Sequence, residues 1–149
     1  IAVTPLQMVR ATATLANRGR MPTPKIVDRI ITSSAIKDIP PAEAIPVISS
    51  LAAAQITKMM INAVDKGEAK WAKPEGYVIA GKTGTAQIPV SGHYDLEKTI
   101  ASFVGFAPAV DPKFVMLVTL TEPQTSPWGS ETAAPLWFDI ARDIFRLIK

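Results

Sequence analysis

The sequence predicts an α/β fold of the α+β type, with one antiparallel sheet sandwiched between helices. Two observations support this: three segments with helical signals occupy the start, middle and end of the chain, and three strand-like runs lie between the last two of them. The 149 residues are 48% hydrophobic and 19% charged, which suits one compact unit.

The first helix is predicted from its ends. Thr4 supplies a capping hydroxyl, Pro5 occupies the first helical position, and Gln7 completes a capping box three residues after the cap. The helix should run to about Asn17, because Gly19 can adopt the left-handed conformation that ends many helices.

Two further helices follow from apolar stripes at helical spacing. The second should span 51–66 and stop at Gly67, with one stripe formed by Ala52, Ile56, Met59, Met60, Ala63 and Val64. The third should begin near Pro135, after Ser130 and Thr132 as possible caps, and dock on the core through Leu136, Trp137, Ile140, Ala141, Ile144, Phe145 and Ile148.

The strand-like runs are 77–88, 99–107 and 113–121. The run 99–107 is apolar on both faces, which is typical of a central strand covered on both sides. Because only a short proline-containing turn separates it from 113–121, these two runs should form an antiparallel hairpin. A further strand is plausible at 25–32, and the proline-rich stretch 39–47 is interpreted as a surface connection.

Composition excludes several classes of function. The net charge of +3 comes from dispersed basic residues, so no nucleic-acid footprint is expected. The absence of cysteine excludes thiolate chemistry and disulfides. No apolar run approaches the roughly 20 residues of a membrane span. Because the chain starts at Ile1 without an initiator Met, we expect it to be a piece of a longer protein whose export signal or anchor lies elsewhere.

The segment 80–87, Ala-Gly-Lys-Thr-Gly-Thr-Ala-Gln, is unusual for a strand. It follows apolar residues, yet it carries one cation, two hydroxyls and two glycines, which allow another backbone to approach closely. Such an edge could accept an extended peptide as an added strand. Lys82, Thr83 and Thr85 would then offer charge and donors to an anion such as a peptide carboxylate.

The same segment also matches the phosphate-binding pattern G-x-x-x-x-G-K-T, over Gly76–Thr83. That pattern requires a flexible loop that leads into a helix. Here the intervening residues Tyr-Val-Ile-Ala prefer a strand, and Pro89 lies in the segment that would have to open the helix. We therefore reject a nucleotide site.

Residues 80–87 resemble the Lys-Thr-Gly signature of the penicillin-recognising serine enzymes, which comprise transpeptidases, D,D-carboxypeptidases and serine β-lactamases. The resemblance to class B penicillin-binding proteins extends to four other segments: 1–8, 99–108, 111–118 and 128–135. It covers essentially the whole chain and implies a penicillin-binding transpeptidase or serine β-lactamase-like fold. The division type is favoured mildly over the elongation type.

Two catalytic motifs of that family are missing. The family needs a nucleophilic S-x-x-K and an S-x-N before the K-T-G. Ser34–Lys37 fits S-x-x-K in letters only, because Pro40 and Pro41 follow and the match lies downstream of the first helix. No serine is followed two positions later by Asn. Residues 1–149 are thus expected to be the C-terminal part of a single transpeptidase domain, without its nucleophile.

The resemblance implies a monofunctional peptidoglycan D,D-transpeptidase that forms a serine acyl-enzyme and is acylated by β-lactams. Lys82 and Thr85 would be catalytic, with the Thr85 N–H as one oxyanion donor. Substrate would be bound by Thr83, Gly84, Thr85, Ala86 and Gln87. The alternatives are a D,D-carboxypeptidase or serine β-lactamase, in which water is the acceptor, and a non-catalytic β-lactam sensor.

The resemblance also implies partners and a location. The substrates would be peptidoglycan stem peptides ending in D-Ala-D-Ala, and the structural partner the complementary N-terminal part of the domain. A SEDS-type glycosyltransferase would be a further partner, at the extracytoplasmic face of the bacterial cell membrane. No metal or cofactor is implied.

His93 and Trp128 are further candidates for the site. His93, the single histidine, is interpreted as a solvated loop residue because no metal ligand or nucleophile lies nearby in sequence. Trp128 lies in a loop that flanks the cleft in the family, and a role in contacting substrate or a partner is considered for it.

Overall fold

The computed structural model describes the backbone of residues 2–90 and 93–148, and the side chains of 2–89 and 98–148. In the described chain a short 3-10 helix, Glu68–Ala72, accompanies three α-helices and seven strands. These elements are α1 Pro5–Ala16, β1 Arg20–Met21, β2 Arg29–Ile31, β3 Ile36–Asp38, β4 Ile45–Pro46, α2 Ser50–Lys66, β5 Ala80–Val90, β6 His93–Ala107, β7 Phe114–Thr121 and α3 Ala133–Leu147.

The main sheet has three antiparallel strands in the order β5-β6-β7. The central position of β6 and its hairpin with β7 confirm the sequence prediction, and the register pairs Phe103 with Thr83 on one side and with Val118 on the other. Within the described chain, β5 and β7 are therefore the two edges of this sheet.

Helices cover both faces of the sheet, but unequally. On one face α3 packs Trp137 and Phe138 against Phe103, with ring centroids 5.2 Å apart in both pairs. On the other face Met60 and Ile61 of α2 pack around Phe106, together with residues of α1. The predicted sandwich is present, and its larger core lies beneath α3.

The ends of α1 are as predicted. The Thr4 hydroxyl accepts a hydrogen bond from the Gln7 amide, and the Gln7 side chain accepts one from the Thr4 amide in return. At the other end, Arg18 adopts the left-handed conformation with a φ angle of +53°, and Gly19 follows it at +88°. The predicted positions of both ends are therefore confirmed, but the left-handed residue next to the C-cap is Arg18 instead of Gly19; the amides of these two residues donate to the Leu15 and Thr14 carbonyls.

The predicted stripe of α2 is wrong in part. The helix has the predicted length, but Ile56 and Met59 are 38% and 69% exposed, and Ala53 and Val64 are the buried residues. The sheet contacts a narrower stripe than the apolar pattern suggests. The outer apolar residues of α2 have no covering layer among the described residues.

Several element starts differ from the prediction, most of all that of β6, which begins at His93 instead of residue 99. β5 begins at Ala80 instead of residue 77, because its partner strand β6 ends at Ala107. Before Ala80, the Val78 carbonyl accepts a hydrogen bond from the Ala109 amide, which lies beyond the end of β6. α3 begins at Ala133, two residues before the predicted Pro135. Neither proposed capping hydroxyl caps it: that of Ser130 donates to Glu68 and that of Thr132 to the Trp128 carbonyl.

The segment between α1 and α2 forms two small sheets, β1–β4 and β2–β3. The strand expected over 25–32 is shorter, Arg29–Ile31, and the connection 39–47 contains β4. Lys37 lies in β3, so the Ser34–Lys37 match has no helical spacing, as the sequence indicated. His93 begins β6 rather than lying in a loop, and its side chain lies outside the described residues.

None of the described helices combines the length and the apolar character needed to cross a membrane.

Candidate active site on the edge strand

The predicted substrate segment forms the first part of the edge strand β5. Alternation along the strand places Lys82 on the face it shares with Val104, and Thr83 on the face it shares with Phe103. Thr85 follows Thr83 on that second face, next to the loop that precedes α3. Lys82 therefore lies on one face of the sheet, and Thr83 and Thr85 lie on the other. All three belong to the same exposed edge strand.

Lys82 brings an uncompensated positive charge to this edge. Its ammonium donates to the carbonyl and hydroxyl oxygens of Thr83, at 3.1 and 3.2 Å. No described carboxylate forms an ion pair with it. The side chain is exposed, so its charge is available to an anionic ligand.

Thr85 is held by the loop that precedes α3. The backbone amide of Gly129 donates to Thr85 Oγ1 at 3.1 Å. A hydroxyl has one donor hydrogen in addition to its acceptor lone pairs. Since its oxygen accepts from Gly129, the hydroxyl hydrogen of Thr85 remains available for a carboxylate on the open side of the strand.

The loop can lie this close only because residue 129 is a glycine. A Cβ atom there would stand 2.4 Å from the carbonyl oxygen of Gly84 and 2.6 Å from that of Ser102. The loop is also tied to the sheet by the Thr99 hydroxyl, which donates to the Pro127 carbonyl at 2.9 Å. The loop therefore contacts β5 and β6 through its backbone atoms.

A cavity opens beside the Lys82 end of the strand. Lys82 and Thr83 line it from β5, Val64 from the end of α2, and Glu68 from the 3-10 helix. Gly81 lies at its wall, where a Cβ atom would come within 2.4 Å of the Phe103 ring. The small residue therefore keeps the aromatic core and the substrate strand in contact.

The remaining predicted site residues lie further along the same edge. Gly84 pairs with Ser102, Ala86 with Ile100 and Gln87 with Thr99, and the register shifts between Gln87 and Pro89. Ala86 and Gln87 are exposed. The structure thus brings all five predicted substrate-binding residues onto one strand edge. Lys82 and Thr83 lie within β5, so the matched segment leads into a strand and not into the helix that a phosphate loop requires.

Three residues near this edge were not singled out from the sequence. Gly129 supplies the amide that holds Thr85, and Glu68 and Trp71 come from the 3-10 helix. Of these three, only Gly129 could have been noticed in the sequence, as a glycine that directly follows an aromatic residue in a predicted loop. The positions of Glu68 and Trp71 near the site follow only from the folded structure.

These features define a class of site: an exposed edge strand with a free cation and an oriented hydroxyl, suited to an extended peptide with a carboxylate. The comparisons agree. The family model described as "Penicillin binding protein transpeptidase domain" matches residues 1–146. The chain belongs to the penicillin-binding protein transpeptidase domain family.

Relatives and solved structures support this assignment. The chain is 38% identical to Stage V sporulation protein D of Bacillus subtilis, over 96% of this chain and 23% of the relative. It is 36% identical to peptidoglycan D,D-transpeptidase FtsI of Buchnera aphidicola, over 62% of this chain and 17% of the relative. The crystal structure of penicillin-binding protein 3 of Mycobacterium tuberculosis in complex with ampicillin superimposes with a TM-score of 0.86 at 29% identity, covering 97% of this chain and 34% of that one.

The chain thus spans about a quarter of the length of the first of these relatives, 23%. Membership of the family establishes the fold of the chain.

We predict that Gly129→Ala disturbs both the loop and the strand. The added methyl group would overlap two backbone carbonyl oxygens, so the free energy of unfolding of the intact protein should fall by about 1–3 kcal/mol. Acylation by a carboxylate-bearing penicillin should also slow, because Thr85 loses its fixed donor. Thermal melting and stopped-flow acylation test the two effects, and a variant that matches the unmodified protein in both would contradict the close contact.

Proposed function

We propose that the protein containing this chain is a peptidoglycan D,D-transpeptidase that cross-links stem peptides through a serine acyl-enzyme. The observation that carries the proposal is the edge strand β5, where Lys82, Thr83 and Thr85 line one open edge and Gly129 orients the Thr85 hydroxyl. Membership of the penicillin-binding transpeptidase family supports the reaction type.

In this proposal the chain binds the donor peptide. The stem peptide lies along β5, and its terminal carboxylate accepts hydrogen bonds from the hydroxyls of Thr83 and Thr85. Lys82 supplies positive charge beside the reacting bond and assists proton transfer. The Thr85 N–H is proposed as one oxyanion donor, while Gly84, Ala86 and Gln87 form the rest of the strand contact.

The nucleophilic serine is proposed to lie in the complementary N-terminal part of the same domain. It attacks the carbonyl of the penultimate D-Ala, the terminal D-Ala leaves with a proton on its nitrogen, and an amine of a second stem then displaces the serine oxygen. The exposed apolar residues of α2, including Met59, mark one surface where that part would pack. β-Lactams would acylate the same serine.

The wider setting is also a proposal. Relatives such as FtsI of Buchnera aphidicola are named peptidoglycan D,D-transpeptidases, which favours action at the extracytoplasmic face of the cell membrane. A SEDS-type glycosyltransferase is proposed as the partner that supplies the glycan strands.

A labelling experiment on the intact protein tests this proposal. A fluorescent penicillin should form a stable covalent adduct, and a donor peptide with an added amine should give the cross-linked product. Rapid hydrolysis of the penicillin would favour a β-lactamase, and release of D-Ala without amine transfer a carboxypeptidase. A stable adduct without any cross-linked product would favour the sensor alternative, and failure to form any adduct would favour a different function.

We expect Thr85→Val in the intact protein to slow acylation by a carboxylate-bearing penicillin by about 10-fold or more, since a hydrogen bond to a charged group contributes about 1.5–3 kcal/mol. The melting temperature should also fall, because the substitution leaves the amide of buried Gly129 without its hydrogen-bond acceptor. Thr119→Val, at an exposed position of β7, is the matched control. Unchanged acylation in Thr85→Val would remove this hydroxyl from the site.

A further inference from the structure

Two tryptophans flank one cleft beside the substrate strand. Trp71 of the 3-10 helix is 66% exposed, and Trp128 of the loop before α3 is 56% exposed. The two indoles line the cleft together with Glu68, Ser130 and Glu131. Large aromatic side chains exposed on both sides of one cleft are typical of a binding site.

The carboxylates of this cleft lack counter-ions. Among the carboxylates that the structure describes, only Glu68, Glu75 and Glu131 form no ion pair, and two of these three line the cleft. A cleft with negative charge and two indole faces is complementary to an organic cation.

The carboxylate of Glu68 is held in a fixed position. The buried hydroxyl of Ser130 donates to Glu68 Oε2 at 3.2 Å. No donor among the described residues contacts Oε1, so this oxygen can accept hydrogen bonds from a ligand. An ammonium group placed there would gain a charge-assisted hydrogen bond in addition to its contact with the indoles.

The cleft is continuous with the substrate strand through two links. Glu68 lines both this cleft and the cavity that contains Lys82 and Thr83. On the other side, Trp128 directly precedes Gly129, whose amide holds the Thr85 hydroxyl. A ligand in the cleft is therefore a near neighbour of a peptide bound along β5.

We propose that this cleft, formed by Trp71, Trp128, Glu68, Ser130 and Glu131, binds the side-chain ammonium group of the acceptor stem peptide before that group loses its proton to solvent and attacks the acyl-enzyme as a free amine. The assignment to an acceptor rests on the proposed transpeptidase function. Its chemistry suits that substrate: the donor stem presents a carboxylate to the cationic edge at Lys82, and the acceptor stem presents a cation to an acidic, aromatic cleft. The opposite charges of the two adjacent sites would therefore direct each stem to its own site.

Binding can be measured on the intact protein with a small probe. Nα-acetyl-lysine methylamide should bind saturably and change the tryptophan fluorescence, with a dissociation constant of about 1 mM, whereas Nα-acetyl-norleucine methylamide should not bind. Glu68→Gln, which retains an acceptor for Ser130, and Trp71→Leu should each weaken the lysine probe by about 10-fold. Glu43→Gln, an exposed glutamate next to β4, is the control for loss of charge. Equal binding of the two probes, or no effect of either variant, would overturn the site.

Transfer kinetics test the assignment to the acceptor. In an assay that follows partition of the acyl-enzyme between water and an added amine acceptor, the KM for the acceptor should rise about 10-fold in Glu68→Gln. If penicillin acylates the unmodified protein but neither variant changes the acceptor KM, the acceptor assignment is wrong. If the unmodified protein forms no acyl-enzyme, the proposed function fails, and the probe titration still decides whether the cleft binds ammonium.

Discussion

Lys82→Ala in the intact protein is expected to slow acylation by a penicillin by about 10²–10³-fold, the size of effect seen when one preorganised electrostatic contact is removed from an acyl-transfer site. The ammonium group lies at the open edge of β5 and forms no ion pair with a described carboxylate. Its charge is therefore available to the ligand and contributes little to the fold. The melting temperature should stay close to that of the unmodified protein.

The matched control is Lys37→Ala, which removes another exposed lysine. Lys37 belongs to the Ser34–Lys37 match, and β3 places it in a strand instead of a helix. We expect its acylation rate to be unchanged. A large loss in Lys37→Ala together with a normal rate in Lys82→Ala would reverse the assignment of the two motifs.

Much of the fold could be predicted because local signals agree with tertiary packing. The capping box at Thr4 predicts a helix start, and the apolar pattern of 99–107 predicts a central strand. The structure has both features. The stripe of α2 failed because apolar spacing alone does not tell which neighbours are present. Ile56 and Met59 have the correct spacing but meet no layer among the described residues.

The part of the site that could be predicted is the part formed by a single segment, residues 80–87. Lys82, Thr83 and Thr85 follow each other in sequence, so their chemistry can be read directly. The amide that orients Thr85 comes from Gly129, 44 positions away, and Ser130 meets Glu68 across 62 positions. Contacts of such separation depend on how α3 and the 3-10 helix pack, and no local pattern encodes them.

One face of the sheet supplies the argument for assembly. α1 and α2 cover the Phe106 end of this face, but Ile100 at the other end is 38% exposed. The face also carries Lys82, opposite Val104. The open part of the sheet and the outer side of α2, where Leu51 is 68% exposed, are the surfaces that a further layer of the domain would cover.

We therefore expect the isolated 149-residue chain to form no covalent adduct with a fluorescent penicillin and to bind a hydrophobic dye through these uncovered surfaces. When it is refolded with the proposed complementary N-terminal segment, dye binding should fall and the label should appear on a serine of that segment. Intact-mass analysis and peptide mapping locate the label. A label on Ser34, or a monomeric chain that melts cooperatively without binding dye, would show that the nucleophile and the covering layer are not supplied from outside this chain.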